Sequence, residues 1–554
     1  MKKIFSILLA SMTLASCVDT VILPDNKILD EDYWKRKSEV TSVLSTAYVQ
    51  LRDANFMRSV VVWGDFRSDE LILDQSLPVS ATYRDALNDI NSMSIQTDNT
   101  FTSWYPLYSC INYCNLVLEN AEGVVAEDPD YTTGDYLADR ASALALRSLC
   151  YFYLVRVFRD VPVTPGAYMN SSDDLNAPQM APAEVLQMCI DNLTEAAQNA
   201  PANNAYFDWR DRGFMNRDAI YALLADIYLW RASVNHSDED YRKCVEYCDI
   251  VIANKKNAHV RTSPTETEED YYLADYTDYY NEVFCGIGNS EESIFELQFQ
   301  FNRISNTGLW QMYHNYSSNN SGFGYLKTTQ TYAKFNASSS SSNIFKNDKD
   351  QRLFDNCYDV SADKEQYDVR KFCALGTETP LTSESRTNVT SSDFTPNWIF
   401  YRLTDIMLMK AEALVQLQQP EAAFELVKVV NDRALSDPAM ALSYNTYSDM
   451  MEELVLMERA RELCFEGKRW FDLMRYNYRR MNGVDYTKKL SELSDYPVNS
   501  DEFFNLALSK YATPAAMKAK MPTEPYLYMP INEDEVKMNT NLQQNPVYLS
   551  TSKY

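Results

Sequence analysis

Apolar residues recur at helical spacing through most of this 554-residue chain. In the segment 183–197, Val185, Cys189, Ile190 and Leu193 follow each other at steps that place them on one face of a helix. The same periodicity predicts helices over 38–51, 101–120, 136–158, 183–197, 217–230, 241–253, 403–414 and 421–433. The chain is therefore predicted to be mainly α-helical.

Two pairs of these helices repeat one layout. Each pair joins two amphipathic segments by a short turn, and the small-acidic steps Ala225-Asp226 and Ala411-Glu412 occupy matching places in the first helix. A helix-turn-helix unit of roughly 34 residues is the period of the tetratricopeptide repeat. Because the repeat is degenerate, we predict a tetratricopeptide-like helical scaffold.

Three loop-rich inserts interrupt this pattern, at about 54–100, 255–397 and 477–525. The middle insert is rich in Ser, Thr, Asn, Asp and aromatic residues, and only short pieces such as 293–301 have the character of strands. Long irregular segments inside a helical protein are often functional. We therefore expect a ligand-binding side formed by loops.

Charge and composition narrow the function. The chain has 78 Asp and Glu residues against 51 Lys and Arg, a formal net charge of −27. Such a surface repels the nucleic-acid backbone, so nucleic-acid binding is not expected. The 39 tyrosines combine an apolar face with a hydroxyl group, which suits either helix interfaces or a partly wet recognition surface.

The N-terminus is typical of an exported lipoprotein. Lys2 and Lys3 precede the short apolar segment 4–14, which is too short to span a bilayer, and the small residues before Cys17 resemble a bacterial lipobox. We predict a signal peptide over 1–16, acylation of Cys17, a tether over 17–30 and a single domain over 31–554. An ordinary secretory signal is the alternative, and no later segment is expected to be long and apolar enough to span a bilayer.

The cysteine and histidine residues give little indication of a metal site or of a catalytic site. Ten cysteines follow Cys17, and most are expected to be small buried hydrophobic residues, with a Cys357–Cys373 disulfide as an alternative. The three histidines lack metal-ligand spacing. The chain also lacks a nucleophile elbow, a zinc-protease motif and a phosphate loop. We expect no metal, no cofactor and no catalytic residues.

The C-terminal 160 residues closely resemble the SusD/RagB family. The motifs are Tyr401-Arg402 before Ala411-Glu412-Ala413, Asn431-Asp432-Arg433-Ala434, the block 458–473, Pro530-Ile531-Asn532 and Gln544-Asn545-Pro546. Tyr33-Trp34 and the segment 104–115 extend the resemblance to the N-terminal end. The chain departs from the family pattern at four positions that have a structural role, namely Ala460, Asn532, Thr540 and Val547.

The block 458–473 also has a physical interpretation. Its charged residues Glu458, Arg459, Arg461 and Glu462 lie three or four positions from opposite charges, which supports a helix. Gly467 permits a local break or a close contact. We therefore assign the block to the scaffold and not to a catalytic cluster of glutamates.

The resemblance implies a function. Members of the family have about four tetratricopeptide-like helix pairs and act as outer-membrane lipoproteins that cover a TonB-dependent transporter of the SusC type. They capture glycans, or in some cases peptides, for import. The remaining alternatives are a surface glycoside hydrolase, which needs two carboxylates across a cleft, and a pure interaction scaffold.

The residues predicted to contact the ligand come from the first two inserts. Sugar recognition needs exposed aromatic faces with polar groups at the rim, and family sites resemble this layout. The candidates are Arg67, Asp69, Tyr83 and Asn88 in the first insert and Trp310, Tyr313, Asn315 and Tyr325 in the second. The alternative for Trp310 and Tyr313 is packing of the insert onto the helices.

Overall fold

The computed structural model describes residues 33–74, 77, 80–169, 173–260, 267, 270–285, 288–300, 303–313, 324–333, 344–357, 366–372 and 392–549. Its helices are α1 Lys37–Leu51, α2 Ala54–Val61, α3 Arg84–Asn91, α4 Tyr105–Glu127, α5 Thr133–Phe158, α6 Pro182–Asn199, α7 Arg210–Gly213, α8 Arg217–Asn235, α9 Asp238–Ala258, α10 Tyr276–Tyr279, α11 Thr307–Tyr313, α12 Gln330–Ala333, α13 Arg352–Asp355, α14 Leu403–Gln416, α15 Pro420–Ala434, α16 Tyr444–Tyr447, α17 Met451–Glu462, α18 Arg469–Tyr478, α19 Asp501–Ala507, α20 Pro514–Lys518 and α21 Glu533–Met538. The mainly helical prediction is confirmed.

The strands are few and short. They are β1 Leu71–Leu73, β2 Val161–Pro162, β3 Gln179–Met180, β4 Ser293–Leu297, β5 Leu326–Thr329, β6 Gln366–Tyr367 and β7 Trp398–Arg402. Strand β5 lies between β1 and β6, while β2 pairs with β3 and β4 with β7, all antiparallel. The β1–β5 pairing joins the first insert to the second.

Polar side chains define where the long helices begin. Thr132 Oγ1 accepts a hydrogen bond from the Asp135 backbone N–H, while the Asp135 carboxylate accepts one from the Thr132 N–H, at 3.1 and 3.0 Å. This reciprocal arrangement satisfies two N–H groups that the first turn of α5 leaves unpaired. Asn216 and Ser237 cap α8 and α9 in a similar way.

The long helices pack as neighbours in chain order. Helix α1 packs on α4, α4 on α5, α5 on α6, α6 on α8, α8 on α9, α9 on α14 and α14 on α15. This succession is the tetratricopeptide-like scaffold that the sequence predicts. All eight predicted segments are helical, usually a few residues longer than their apolar periodicity.

Helix α5 forms the centre of the scaffold. It is long and apolar enough to cross a membrane, but 94% of its most apolar window is buried inside the protein. It is the only helix of that kind in the described part of the chain. The expectation that no segment after the signal peptide has this composition is therefore wrong, although packing makes α5 a core helix.

The first insert is more helical than its loop-rich composition predicts. Helix α2, the π-helical turn Val62–Phe66 and helix α3 occupy much of the segment 54–100. Short apolar stretches such as Val60–Val62 are buried on all sides. Their sequence therefore lacks the alternation of apolar and polar faces by which a surface helix is recognised.

The described cysteines are free thiols, and all except the half-buried Cys285 are buried. This confirms the interpretation of most of them as small hydrophobic residues. Cys373, proposed as a disulfide partner of Cys357, lies outside the described residues. Cys17, the signal peptide and the tether also lie outside them, so that division of the chain stays a prediction.

Candidate ligand-binding site

The first two inserts meet along the β1–β5 pairing. Leu73 stands opposite Leu326, and the Asp74 backbone N–H donates to the Tyr325 carbonyl oxygen at 2.9 Å. Just beyond the strands, the ring of Tyr83 contacts the ring of Tyr325 edge to face, with centroids 6.0 Å apart. Two predicted site residues from distant inserts are thus neighbours.

A guanidinium group completes this contact. The Arg58 guanidinium carbon lies 4.5 Å from the centre of the Tyr83 ring, at a distance that allows a cation–π interaction. Arg58 also donates to Asn55 Oδ1 at 2.5 Å and to Gln311 Oε1. We call Asn55, Arg58, Tyr83, Gln311 and Tyr325 the Tyr83 cluster.

Three members of this cluster are not among the residues that the sequence predicts for the site. Asn55 and Arg58 belong to α2, and Gln311 belongs to α11. Helix α11 packs on α2, so residues about 250 positions apart in the chain become neighbours. No local signal marks them, because each is an ordinary helical residue and only the packing of the two helices reveals the contact.

Trp310 directly precedes Gln311 on helix α11. Its backbone N–H donates to the Asn306 carbonyl oxygen at 3.0 Å, which begins the helical hydrogen bonding of α11. Its side chain is half-buried and packs against the core, so a part of the indole remains accessible. A half-buried indole can serve as an anchored aromatic platform.

Tyr83 has an unusual backbone conformation. Its φ of 67° lies in the left-handed region, which costs a residue with a side chain free energy unless its surroundings hold it there. It directly precedes α3, whose first residue, Arg84, donates to the Leu77 carbonyl oxygen. Asn88, one turn further along α3, is half-buried.

Four predicted site residues lie in the interior instead: Arg67, Asp69, Tyr313 and Tyr325, the last of which is 2% exposed. Arg67 donates to the carbonyl oxygens of Leu527 and Tyr526 at 2.7 and 3.0 Å. Asp69 accepts two hydrogen bonds from Arg469, at 2.9 and 3.0 Å. Both are buried with these partners satisfied, so ligand contact by either stays a prediction that burial disfavours.

Tyr313 is the third of these interior residues. It donates to Asp65 Oδ2 at 3.1 Å, and its ring stacks on Phe372. Tyr313 is 1% exposed, whereas Trp310 is half-buried. Asn315, the remaining candidate, lies outside the described residues.

The charged block 458–466 lies in the core below the inserts. Glu462 accepts hydrogen bonds from the buried Arg352 and Arg402 and from Arg433, whose side chain is 7% exposed. The expectation that this block forms ion pairs along one helix is therefore largely wrong, since Glu458–Arg461 is its only described pair of that kind. Its assignment to the scaffold stands, because these partners occupy its carboxylates.

Within the described ranges, no group of three or more His, Cys, Asp or Glu side chains is arranged to hold a metal ion. The Tyr83 cluster has other chemistry: the half-buried Tyr83 ring and the side-chain amides of Asn55 and Gln311, held by the buried Arg58 and Tyr325. These groups match the C–H faces and hydroxyl edges of a sugar.

Family models match both halves of the chain. The model described as "SusD family" matches residues 235–548, which is more than half of the chain. The model described as "Starch-binding associating with outer membrane" matches residues 22–229. Together they leave few residues of the described protein unmatched.

Curated proteins from Formosa agariphila are similar over most of their length. SusD-like protein P38 is 27% identical over 493 residues, which covers 85% of this chain and 90% of the relative. SusD-like protein P2 is 23% identical over 488 residues, which covers 84% of this chain and 88% of the relative.

Solved structures share the fold. A SusD superfamily protein from Bacteroides thetaiotaomicron superposes with a TM-score of 0.64 at 22% identity, covering 93% of this chain and 99% of that one. A SusD superfamily protein from Parabacteroides distasonis has a TM-score of 0.66 at 22% identity, covering 92% and 98%. At this identity the likeness establishes the fold alone.

Proposed function

The chain belongs to the SusD family, and on that basis we propose that it captures glycans at the outer cell surface and delivers them to a partner TonB-dependent transporter of the SusC type. The outer-membrane association in the description of the second matching family model supports the location. The lipoprotein-like N-terminus supports anchoring through Cys17.

The observation that carries the glycan proposal is the Tyr83 cluster, together with the half-buried Trp310 on the same helix as Gln311. It joins aromatic rings and polar groups from two inserts, held on helices and strands of the scaffold. Sugars bind to such mixtures because the rings cover their C–H faces while guanidinium and amide groups bond their hydroxyls. We propose that the half-buried Trp310, Tyr83 and Asn88 contact the ligand, and that the buried Tyr325 supports the Tyr83 ring from below.

The first test is the replacement of Trp310 by alanine. A screen of purified protein on polysaccharide, mucin-type glycan and peptide arrays first identifies the ligand. We then expect Trp310→Ala to weaken binding about tenfold, because loss of an aromatic platform costs about 1.4 kcal/mol, with little change in melting temperature. Calorimetric titration and thermal melting of the same samples measure both quantities.

Trp209→Ala is the matched control, since Trp209 is 49% exposed and is a tryptophan outside the cluster. It should bind as the wild type does. Full binding by Trp310→Ala, or a lowered melting temperature that accompanies weaker binding, contradicts the platform role. If the protein binds only to the peptide array, the proposed ligand is a peptide and not a glycan.

A second prediction concerns the anchor. Replacing Cys17 by alanine removes the only thiol that the lipobox-like sequence offers for acylation. We expect the variant to leave the membrane fraction and to lose metabolic labelling with a fatty-acid analogue. Stable membrane anchoring needs more than one buried acyl chain, so the shift should be large. A variant that keeps both the label and its membrane location contradicts the assignment.

A further inference from the structure

A partly open polar cavity of about 60 Å³ lies near the end of α9 and shares no residue with the Tyr83 cluster. Its lining includes Asn204, Arg212, Lys255, His259, Tyr272 and Glu291. A cavity of this size holds a few waters or one small polar group, and its lining is predominantly polar.

Lys255 contributes an ammonium group that has one N–H donor available to the cavity. Its Nζ donates to the carbonyl oxygens of Glu291 and Ser293, at 2.8 and 2.5 Å. An ammonium group has three N–H donors, so these two acceptors leave one for the cavity. Burial, followed by the nearby charge of Arg212, lowers the pKa of Lys255 to about 7.

Arg212 contributes a second cation. Its guanidinium group donates to the carbonyl oxygens of Ser290 and Asp211 over 3.4 and 3.3 Å, and five N–H donors are available in all. Among the described residues, no carboxylate lies within ion-pair distance of either Arg212 or Lys255. Two cations without a carboxylate partner thus line one cavity of a strongly acidic protein.

The acidic groups around the cavity have other partners. Glu291 Oε2 lies 2.9 Å from His259 Nδ1, and the His259 ring stacks on Tyr272 with centroids 4.4 Å apart. Asp218 accepts from Asn254 at 2.7 Å. Glu292 accepts from Arg433 within the core network.

We propose that this cavity binds a small oxyanion, a carboxylate, sulfate or phosphate group, between Lys255 and Arg212. Charge-assisted hydrogen bonds from two cations give an oxyanion the partners that it needs when it leaves water. The proposal does not depend on glycan capture at the Tyr83 cluster, since the two sites share no residue.

Anion binding should also take up a proton near neutral pH. A bound anion favours the charged form of Lys255, whose pKa of about 7 leaves it partly neutral in the empty protein. Affinity should therefore fall as the pH rises from 6 to 9. The other titratable and charged groups at the cavity are Arg212, His259, Tyr272 and Glu291.

The test titrates the purified protein with sodium sulfate, sodium galacturonate and galactose, with sodium chloride at matched ionic strength as the reference. We expect sulfate or galacturonate, but not galactose, to raise the melting temperature and to bind with proton uptake in calorimetry. Arg212→Gln and Lys255→Met should each weaken that binding at least tenfold. Arg212 is half-buried, so its variant is expected to fold.

Lys510→Met is the matched control. Lys510 is a buried lysine whose ammonium donates to the carbonyl oxygens of Phe66 and Leu71, and burial lowers its pKa to about 7 too, but it does not line this cavity. It should bind anions as the wild type does. Stronger binding of galacturonate supports the acidic group of a sugar as ligand, and stronger binding of sulfate supports a free ion. No effect beyond chloride, or unchanged binding in Arg212→Gln, overturns the proposal.

Discussion

Replacing Glu462 with alanine is expected to lower the free energy of unfolding by about 3–5 kcal/mol. Its carboxylate is fully buried and accepts hydrogen bonds from Arg352 at 2.9 Å, from Arg402 at 2.7 Å and from Arg433. These arginines come from distant parts of the chain. Without Glu462, three guanidinium groups remain buried with too few negative partners.

The same cluster makes this contribution depend on pH. Burial alone would raise the pKa of Glu462, but Arg433, Arg402 and Arg352 outweigh it and hold the pKa well below 4.5. A carboxyl group whose pKa is lowered by folding stabilises the protein fully above its unfolded pKa and loses that effect as it protonates. The difference between wild type and Glu462→Ala should therefore narrow progressively as the pH falls below 4.5.

Urea unfolding at several pH values measures this difference, with Glu453→Ala as the control. Glu453 is on the same helix, but its side chain is 43% exposed and its pair with Arg480 is 3.6 Å long. Exposed pairs contribute about 0–1 kcal/mol, so this variant should unfold almost as the wild type does. Equal and small effects of both substitutions would contradict a structural role of the buried network.

The helical scaffold could be predicted from the sequence because its cause is local. The apolar stripe of 183–197, for example, is confirmed as α6, with Val185 and Leu193 buried. The partners of the charged residues in the block 458–466, by contrast, could not be predicted from local spacing. Spacing places Glu462 near charges of its own helix, whereas its partners Arg402 and Arg433 approach only when α14, α15 and α17 pack together.

Only a part of the candidate site could be predicted from the sequence, because residue type is local information and packing is not. Aromatic residues in two inserts pointed to Tyr83 and Tyr325, which the structure brings into contact. Residue type does not reveal burial, however, so Arg67 and Asp69 were chosen on the same grounds although both have partners in the interior. Arg58 was not predicted, because the sequence around it contains no pattern that indicates a contact with the distant Tyr83.

Gly64→Ala is expected to destabilise the protein by about 3 kcal/mol. Gly64 lies in the π-helical turn Val62–Phe66, directly against the backbone of Gly467. A Cβ at position 64 would overlap the Gly467 carbonyl group and lie 2.6 Å from its Cα. Backbone cannot rotate away as a flexible side chain does, so the two segments must separate.

Hydrogen bonds between these segments make that separation costly. The buried Asp65 carboxylate accepts from the backbone N–H groups of Gly467 and Lys468, at 2.7 and 3.1 Å. Gly467 itself has a φ of 73°, which a residue with a side chain adopts only under strain. Moving the turn away from the loop would stretch both bonds and leave a carboxylate poorly satisfied in the core.

Gly123→Ala tests whether the effect comes from this contact or from loss of glycine as such. Gly123 lies in α4, and an added Cβ there meets nothing within 4 Å. Alanine is the better helix former by about 1 kcal/mol, so this variant should be slightly more stable than the wild type. Thermal melting and urea unfolding of the two variants should therefore shift in opposite directions. A wild-type melting curve for Gly64→Ala would mean that the turn and the loop do not touch as closely as described, and that the first insert docks on the scaffold through its side chains alone.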